Sequence, residues 1–265
     1  MTEAAVSFDD SAAYESFMGR WSRAIGAVFI DWLAPPANAR WLDVGCGTGI
    51  FTQLIFEVCS PKEVLAVDPA AAQIDHARHQ PIAKRTTFRV ADAQALPFPD
   101  STFDVVATAL ALNFIPDRTR GVSEMRRVGR AGGLVAGYVW DFAAELSPSW
   151  PLRSGMRKMG ADVPQVPGTN DSNLGGLHLL FERAGLEEIT TKSIEVGVPF
   201  PDFDDFWRTQ TLNHGPITKM IAALVPRDQA RLKEAVRVAL PLRPDGRIEY
   251  SARANAIKAR VPCEL

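Results

Sequence analysis

At 265 residues the chain has room for one large domain carrying an insertion. With 46% hydrophobic and 23% charged residues it reads as a water-soluble globular protein with a substantial core. A formal net charge of -2 gives no electrostatic footprint for nucleic acid or anionic lipid. No apolar run approaches the roughly 18–20 residues that span a bilayer, so no membrane span is expected. The opening MTEAAVSFDDSAAYES is acidic and polar and lacks the basic and apolar regions of a signal peptide, which makes the cytoplasm the expected compartment. Cys46, Cys59 and Cys263 are too scattered for a disulfide framework or a zinc site.

In chain order, Ser22 to Leu33 carries Ile25, Val28, Phe29, Trp32 and Leu33 at amphipathic helical spacing, and Ala34-Pro35-Pro36 stops it. Arg40 to Val44 reads as a strand running into Gly45-Cys46-Gly47-Thr48-Gly49, and a helix with Phe51, Leu54, Ile55 and Val58 follows. A second strand, Glu63 to Val67, ends at Asp68-Pro69, and Ala70 to His79 has helical composition. Thr87 to Val90 is a strand ending at Ala91-Asp92. Phe103 to Thr108 is nearly continuous apolar strand, as in a parallel sheet covered on both faces. Asp117 to Gly129 suits a helix with basic residues near its C-terminal end. Ala131-Gly132-Gly133 is expected to turn the chain into the strand Leu134 to Trp140.

Beyond Trp140 the pattern loosens. Residues 143–173 read as loop with a short helix near 150–159, and Leu177, Leu180, Phe181 and Ala184 predict a helix before a strand from Glu188 to Val196. Residues 200–242 are expected to form three helical pieces set off by prolines. Arg247 to Ala254 alternates as a last strand. The expected fold is α/β, a Rossmann-like, doubly wound, mostly parallel seven-stranded sheet with an N-terminal helical segment and a late helical insertion. One domain over 1–265 is expected, its core at about 38–142, 174–198 and 246–261, with a lid at 8–36 and the insertion at about 200–245.

The glycine-rich turn sits where a strand meets a helix, and glycines there let the backbone approach a ligand closely. NAD, FAD and S-adenosylmethionine (SAM) proteins all use such a turn. Asp68, about 20 residues on, suits the hydroxyls of an adenosine ribose. Asp92 at the third strand's end is placed to accept from an adenine amino group, and Ala93 offers a backbone N–H. Asp43, inside an apolar strand, needs partners, for which backbone amides of the turn and a ligand ammonium are expected. Small size accounts for Cys46 within the turn. His76 and His79 lack further metal-ligating partners, so no metal site is expected.

Leu42-Asp43-Val44-Gly45-Cys46-Gly47-Thr48-Gly49 resembles motif I of class I SAM-dependent methyltransferases. Val67-Asp68-Pro69, Ala91-Asp92-Ala93, Leu96-Pro97-Phe98 with Phe103 to Val106, and Glu124 to Gly133 resemble the later blocks of the same family. The likeness is dense over residues 40–140, in the type 11 subgroup that includes ubiquinone- and menaquinone-biosynthesis-like enzymes. Tyr14 and Phe17-Met18-Gly19-Arg20-Trp21 are similar to the segment that closes over SAM there. The resemblance implies a SAM-dependent methyltransferase with S-adenosylhomocysteine as product. It implies cofactor contacts from Tyr14, Trp21, Asp43, Gly45, Cys46, Gly47, Gly49, Asp68, Pro69, Asp92, Ala93, Ala109 and Leu110.

Where many relatives carry a histidine after the fourth strand, this chain has Asn113, which with His178 and His214 makes up the catalytic candidates. Trp140 and Asp141 follow the fifth strand near the cofactor edge, while Phe203, Phe206 and Trp207 are expected to pack the insertion's core. The acceptor is expected to be a small molecule, with no nucleic-acid partner and a homodimer left open. A SAM-binding scaffold and a nicotinamide-dependent oxidoreductase are the competing readings. The second lacks G-x-G-x-x-G spacing and a Tyr-x-x-x-Lys pair.

Overall fold

Proline cannot continue a helix, and at Pro35-Pro36 the chain leaves α1 (Ser11–Leu33) through Ala34 in the left-handed region at φ 49°. The structure, a computed structural model, describes residues 11–212, 215–241 and 243–263, with side chains from Phe17 onward. Alternating elements follow α1: β1 (Arg40–Val44), α2 (Ile50–Val58), β2 (Glu63–Asp68), α3 (Ala71–His79) and β3 (Thr87–Val90). Next come β4 (Phe103–Ala109), α4 (Arg118–Val128) and β5 (Gly129–Trp140). The second half holds α5 (Trp150–Lys158), α6 (Leu174–Arg183), β6 (Glu187–Phe200), α7 (Phe203–Gln210), α8 (Pro216–Ala222), α9 (Pro226–Ala239) and β7 (Ile248–Arg260). Among the described residues no helix is long and apolar enough to cross a membrane.

The seven strands form one Rossmann-like sheet in the order β3-β2-β1-β4-β5-β7-β6. The first five are parallel, and β7 runs antiparallel between β5 and β6. Strand order reverses between β1 and β4, so a crevice opens beyond their carboxyl ends, the place where open α/β sheets bind ligands.

The period of two sorts each strand's side chains to opposite faces. Trp41, Val105, Ala107 and Tyr138 face a core shared with Trp21, Ile25 and Phe29 of α1 and Phe51, Leu54 and Ile55 of α2. Leu42, Val44, Val106, Val135 and Val139 face the other core, closed by Val122 and Met125 of α4 and Leu177 and Phe181 of α6. Trp21, Ile25 and Phe29 are fully buried, and each such side chain contributes about 1.5–3 kcal/mol relative to exposure.

Three strand boundaries differ from the sequence expectation by more than one residue. β5 begins at Gly129, so Ala131-Gly132-Gly133 lies within it, because Gly132 N–H donates to the Val261 carbonyl oxygen and Val261 N–H to that of Gly133. β7 continues to Arg260 and β6 to Phe200, because β7 pairs with β6 from Ile248 to Arg260 and with β5 from Ala254 to Arg260. Such pairing is non-local, and period-two patterning in either strand alone cannot show where it stops.

Candidate active site

The turn after β1 is held to β2 by its own backbone: Gly45 and Cys46 N–H both donate to the Val67 carbonyl oxygen, at 2.8 and 3.0 Å. Gly45 has φ +76°, and a Cβ there would lie 2.3 Å from the Ala111 Cβ, so the β4 exit packs directly on the turn. Gly47, at φ +53°, faces open space, the nearest atom to a Cβ there being Gln73 Oε1 at 4.0 Å. One glycine is thus required by a neighbour and the other by backbone conformation alone. Gly49 caps α2 and packs against the Phe88 ring.

Asp68 Oδ2 accepts from Gly47 N–H at 3.0 Å and Oδ1 from Ala70 N–H at 2.9 Å. Each oxygen keeps a further lone pair, so the carboxylate is oriented with capacity to spare. Burial raises its pKa against the opposing effect of these two amides. Pro69 beside it is exposed.

Asp43 sits in register with Ala66 on β2 and Ala107 on β4, small neighbours on either side. It is fully buried; Thr52 Oγ1 donates to its Oδ2 at 2.6 Å, and its Oδ1 has no hydrogen-bond partner. The expected backbone amides do not reach it, because those of Gly45, Cys46 and Gly47 are taken by Val67 and Asp68. Burial pushes its carboxyl up to about 7 against the Thr52 hydrogen bond, with the negative Asp68 adding to the rise. Cys46 is buried as well, and desolvation with the two nearby acids holds its thiol well above the ordinary range, which suits packing rather than reactivity.

Asp92 follows β3 exposed, its carboxylate accepting from the Gln94 backbone N–H and side-chain amide, and Ala93 is buried beside it. Half-buried Ala109 ends β4, and Leu110 follows in the left-handed region at φ 59°, where a non-glycine residue is uncommon. Its N–H donates to the Tyr138 carbonyl oxygen at 2.8 Å.

Leu110 lines an apolar cavity of about 150 Å³, and its neighbour Ala111 packs on Gly45 of the turn. Phe17 and Met18 of α1 form one wall, with Phe114, Trp140 and Phe142 from the exits of β4 and β5. Ser147, Pro148, Ser149 and Arg153 close a second side, and Pro164 to Pro167 with Gly215 to Ile217 a third. The 141–172 connection is tied down at several points. Asp141 pairs with Arg253 at 2.8 Å and accepts from Ala144 N–H, Tyr250 Oη donates to the Pro148 carbonyl oxygen, and Asn255 Nδ2 to that of Ser172.

Several sequence expectations change here. Trp21 does not line the cavity; it is fully buried edge-on to Trp140 and Tyr250, and Phe17 and Met18, one turn earlier, face the cavity instead. Asn113 is turned away from the cavity and donates from Nδ2 to the Pro167 carbonyl oxygen at 3.3 Å, so it positions that loop. His178 is exposed on α6, whose opposite side packs into the other core, and it does not line the cavity. The Tyr14 side chain and His214 lie outside the described residues. Phe203, Phe206 and Trp207 pack in the core. Among the described residues no three His, Cys, Asp or Glu side chains are grouped to hold a metal. Sequence reading missed Phe114, Phe142, Arg153, Val166 and Ile217 as cavity residues, the only local signal being a basic residue on an otherwise apolar turn of α5.

Residues 42–137 match the family model described as a methyltransferase domain. The chain is 39% identical over 95 residues to the chloroplastic 2-methyl-6-phytyl-1,4-hydroquinone methyltransferase 2 of Oryza sativa subsp. japonica, covering 36% of this chain and 27% of that one. It is 35% identical over 161 residues to the malonyl-[acyl-carrier protein] O-methyltransferase of Methylococcus capsulatus, covering 60% of this chain and 57% of the relative. The chain therefore spans between about a quarter and three fifths of the length of these curated relatives. Among solved structures, the Haemonchus contortus phosphoethanolamine N-methyltransferase 2 with S-adenosyl-L-methionine superposes at a TM-score of 0.61 and 17% identity, over 98% of this chain and 61% of that one. At that identity the likeness is one of fold. Motif, sheet order and family match agree that residues 42–137 are a methyltransferase domain of the class I, SAM-dependent kind.

Proposed function

We propose that the chain, acting as one domain, binds SAM at the carboxyl edge of β1, β2 and β3 and methylates a small molecule in the adjoining cavity. The observation that carries this reading is the pair of acids around the glycine turn. Asp43 has a buried oxygen with no partner, which suits a ligand ammonium, and Asp68 is oriented by two amides with lone pairs left for a ribose diol. At Gly47 no atom lies closer than 4.0 Å to where a Cβ would stand, which leaves room for a ligand over the turn. Asp92 and Ala93 stand at the next strand end, where an adenine would lie.

Bound SAM supplies an activated methyl group that passes by in-line displacement, the acceptor atom gaining the bond to carbon as sulfur keeps the electron pair. The protein's part is alignment and exclusion of water, which contribute up to about 7–11 kcal/mol where reactants are held in line. Leu110, Phe114 and Trp140 form the apolar side at the strand ends, and the tied 141–172 segment fixes the opposite side. No carboxylate or imidazole is found among the described cavity residues, so acceptors that attack without a protein base fit best.

Asp68→Ala is expected to weaken SAM at least about tenfold, because a charge-assisted hydrogen bond contributes roughly 1.5–3 kcal/mol. Titration calorimetry checks this, with a thermal melt confirming that the variant is folded. Unchanged affinity in a folded variant would remove Asp68 from the site.

A further inference from the structure

The apolar cavity carries one charged side chain among its described lining residues, Arg153. It is half-buried on the first turns of α5, and its guanidinium donates to the Pro164 carbonyl oxygen. The acid that acts on it electrostatically, Glu145, is itself paired with Arg157 one turn further on. The remaining polar side chains of the lining, the Ser147 and Ser149 hydroxyls, hydrogen-bonded to each other at 3.1 Å, and Gln165, are neutral and can donate as well as accept. No Asp or Glu is among the described lining residues. A cation in an apolar wall, with neutral polar groups able to donate beside it, complements an anion on an apolar body, and its charge disfavours a protonated amine.

We propose that Arg153 reads an acidic group, a carboxylate, on an otherwise apolar acceptor, fixing it with the reacting atom toward Leu110. This rests on the methyl-transfer reading for its consequence, since a fixed distal charge orients the acceptor relative to the methyl donor. A guanidinium presents several N–H donors in a rigid fork, and engagement by one carbonyl leaves others for a planar carboxylate. Burial lowers the Arg153 pKa, with Arg157 contributing in the same direction, so the pairing of this cation with a ligand anion relieves an existing cost.

The test uses calorimetry on the full chain in saturating S-adenosylhomocysteine, with two matched pairs of probes: 1-naphthoate against 1-naphthamide and decanoate against decanamide. The acids should bind at least about tenfold more tightly than their amides, a difference of about 1.4 kcal/mol. Arg153→Gln should erase that preference while leaving amide binding and S-adenosylhomocysteine binding within about twofold of wild type. Arg153→Lys keeps the charge and should retain part of the preference, which separates charge recognition from a fold defect. Absence of any acid preference in the wild type, including absence of binding by every probe, would overturn the assignment, as would a preference that survives in Arg153→Gln. Loss of S-adenosylhomocysteine binding by the wild type would instead overturn the proposed function. An acid preference that Arg153→Gln erases would still uphold the acid site in that case.

Discussion

Asp43→Asn is expected to raise the melting temperature of the ligand-free protein by roughly 5 °C or more at about pH 8 and to weaken SAM by about a hundredfold. Both effects follow from one buried carboxyl. Folding raises its pKa from 3.8 to about 7, chiefly by desolvation, so the folded state holds the proton more tightly than the unfolded chain. The associated stability is fully present below 3.8 and is lost as pH rises through about 7. At about 1.4 kcal/mol per pH unit, that span bounds the loss at about 4 kcal/mol. Asparagine occupies the same volume and accepts from Thr52, yet it never ionises. It should therefore stabilise the ligand-free protein at about pH 8 and change little at about pH 4. SAM brings an ammonium to the unpartnered oxygen, favours the ionised acid, and should release a proton on binding near pH 7. Melts at the two pH values and calorimetry in buffers of different ionisation enthalpy check this; a melting temperature that Asp43→Asn lowers at about pH 8 would contradict it.

Gly45→Ala should lower stability by roughly 3 kcal/mol or more and cost SAM binding with it, whereas Gly47→Ala should cost only about 1–2 kcal/mol. The contrast lies in what each added methyl meets. At Gly45 it would sit 2.3 Å from the Ala111 Cβ, forcing apart the β1 turn and the β4 exit, on top of the strain of φ +76°. At Gly47 nothing lies closer than 4.0 Å, so only the backbone conformation at φ +53° is strained. For a protein of this size, a loss of about 3 kcal/mol corresponds to a fall of roughly 6–12 °C in melting temperature. Urea unfolding of the two variants separates the cases. Equal stability would mean that the turn and the β4 exit are not packed as described.

The glycine turn and its acids were legible in the sequence because their geometry is local: a strand, a tight turn and a helix within about a dozen residues fix where Asp43, Gly45, Gly47 and Gly49 stand. Asp68 and Asp92 follow from the same rule applied to the ends of β2 and β3. The cavity was not legible, because Phe17, Leu110, Trp140, Arg153, Val166 and Ile217 come from separate segments that only tertiary packing gathers. Trp21 shows the limit most plainly. A resemblance placed the whole 14–21 segment over the cofactor, but helical geometry sends Trp21 into the core while Phe17 and Met18 face the cavity. His178 illustrates the same point on α6, where periodicity gave the helix but not the layer to which it belongs.

Hydrogen exchange with and without S-adenosylhomocysteine tests the central claim, a cofactor seat on the glycine turn that adjoins the cavity, most directly. Amides at 43–49, 68–70 and 92–94 should gain protection, because the ligand fills the crevice at the ends of β1, β2 and β3. Weaker gains should appear around Phe17 and Met18, Leu110 and Phe114, Ser147 to Arg153, and Gln165 and Val166, which contribute walls of the adjoining cavity. Protection confined to residues 43–94 would separate the cavity from the cofactor seat. No protection at the glycine turn, in a protein that binds the ligand elsewhere, would contradict the account.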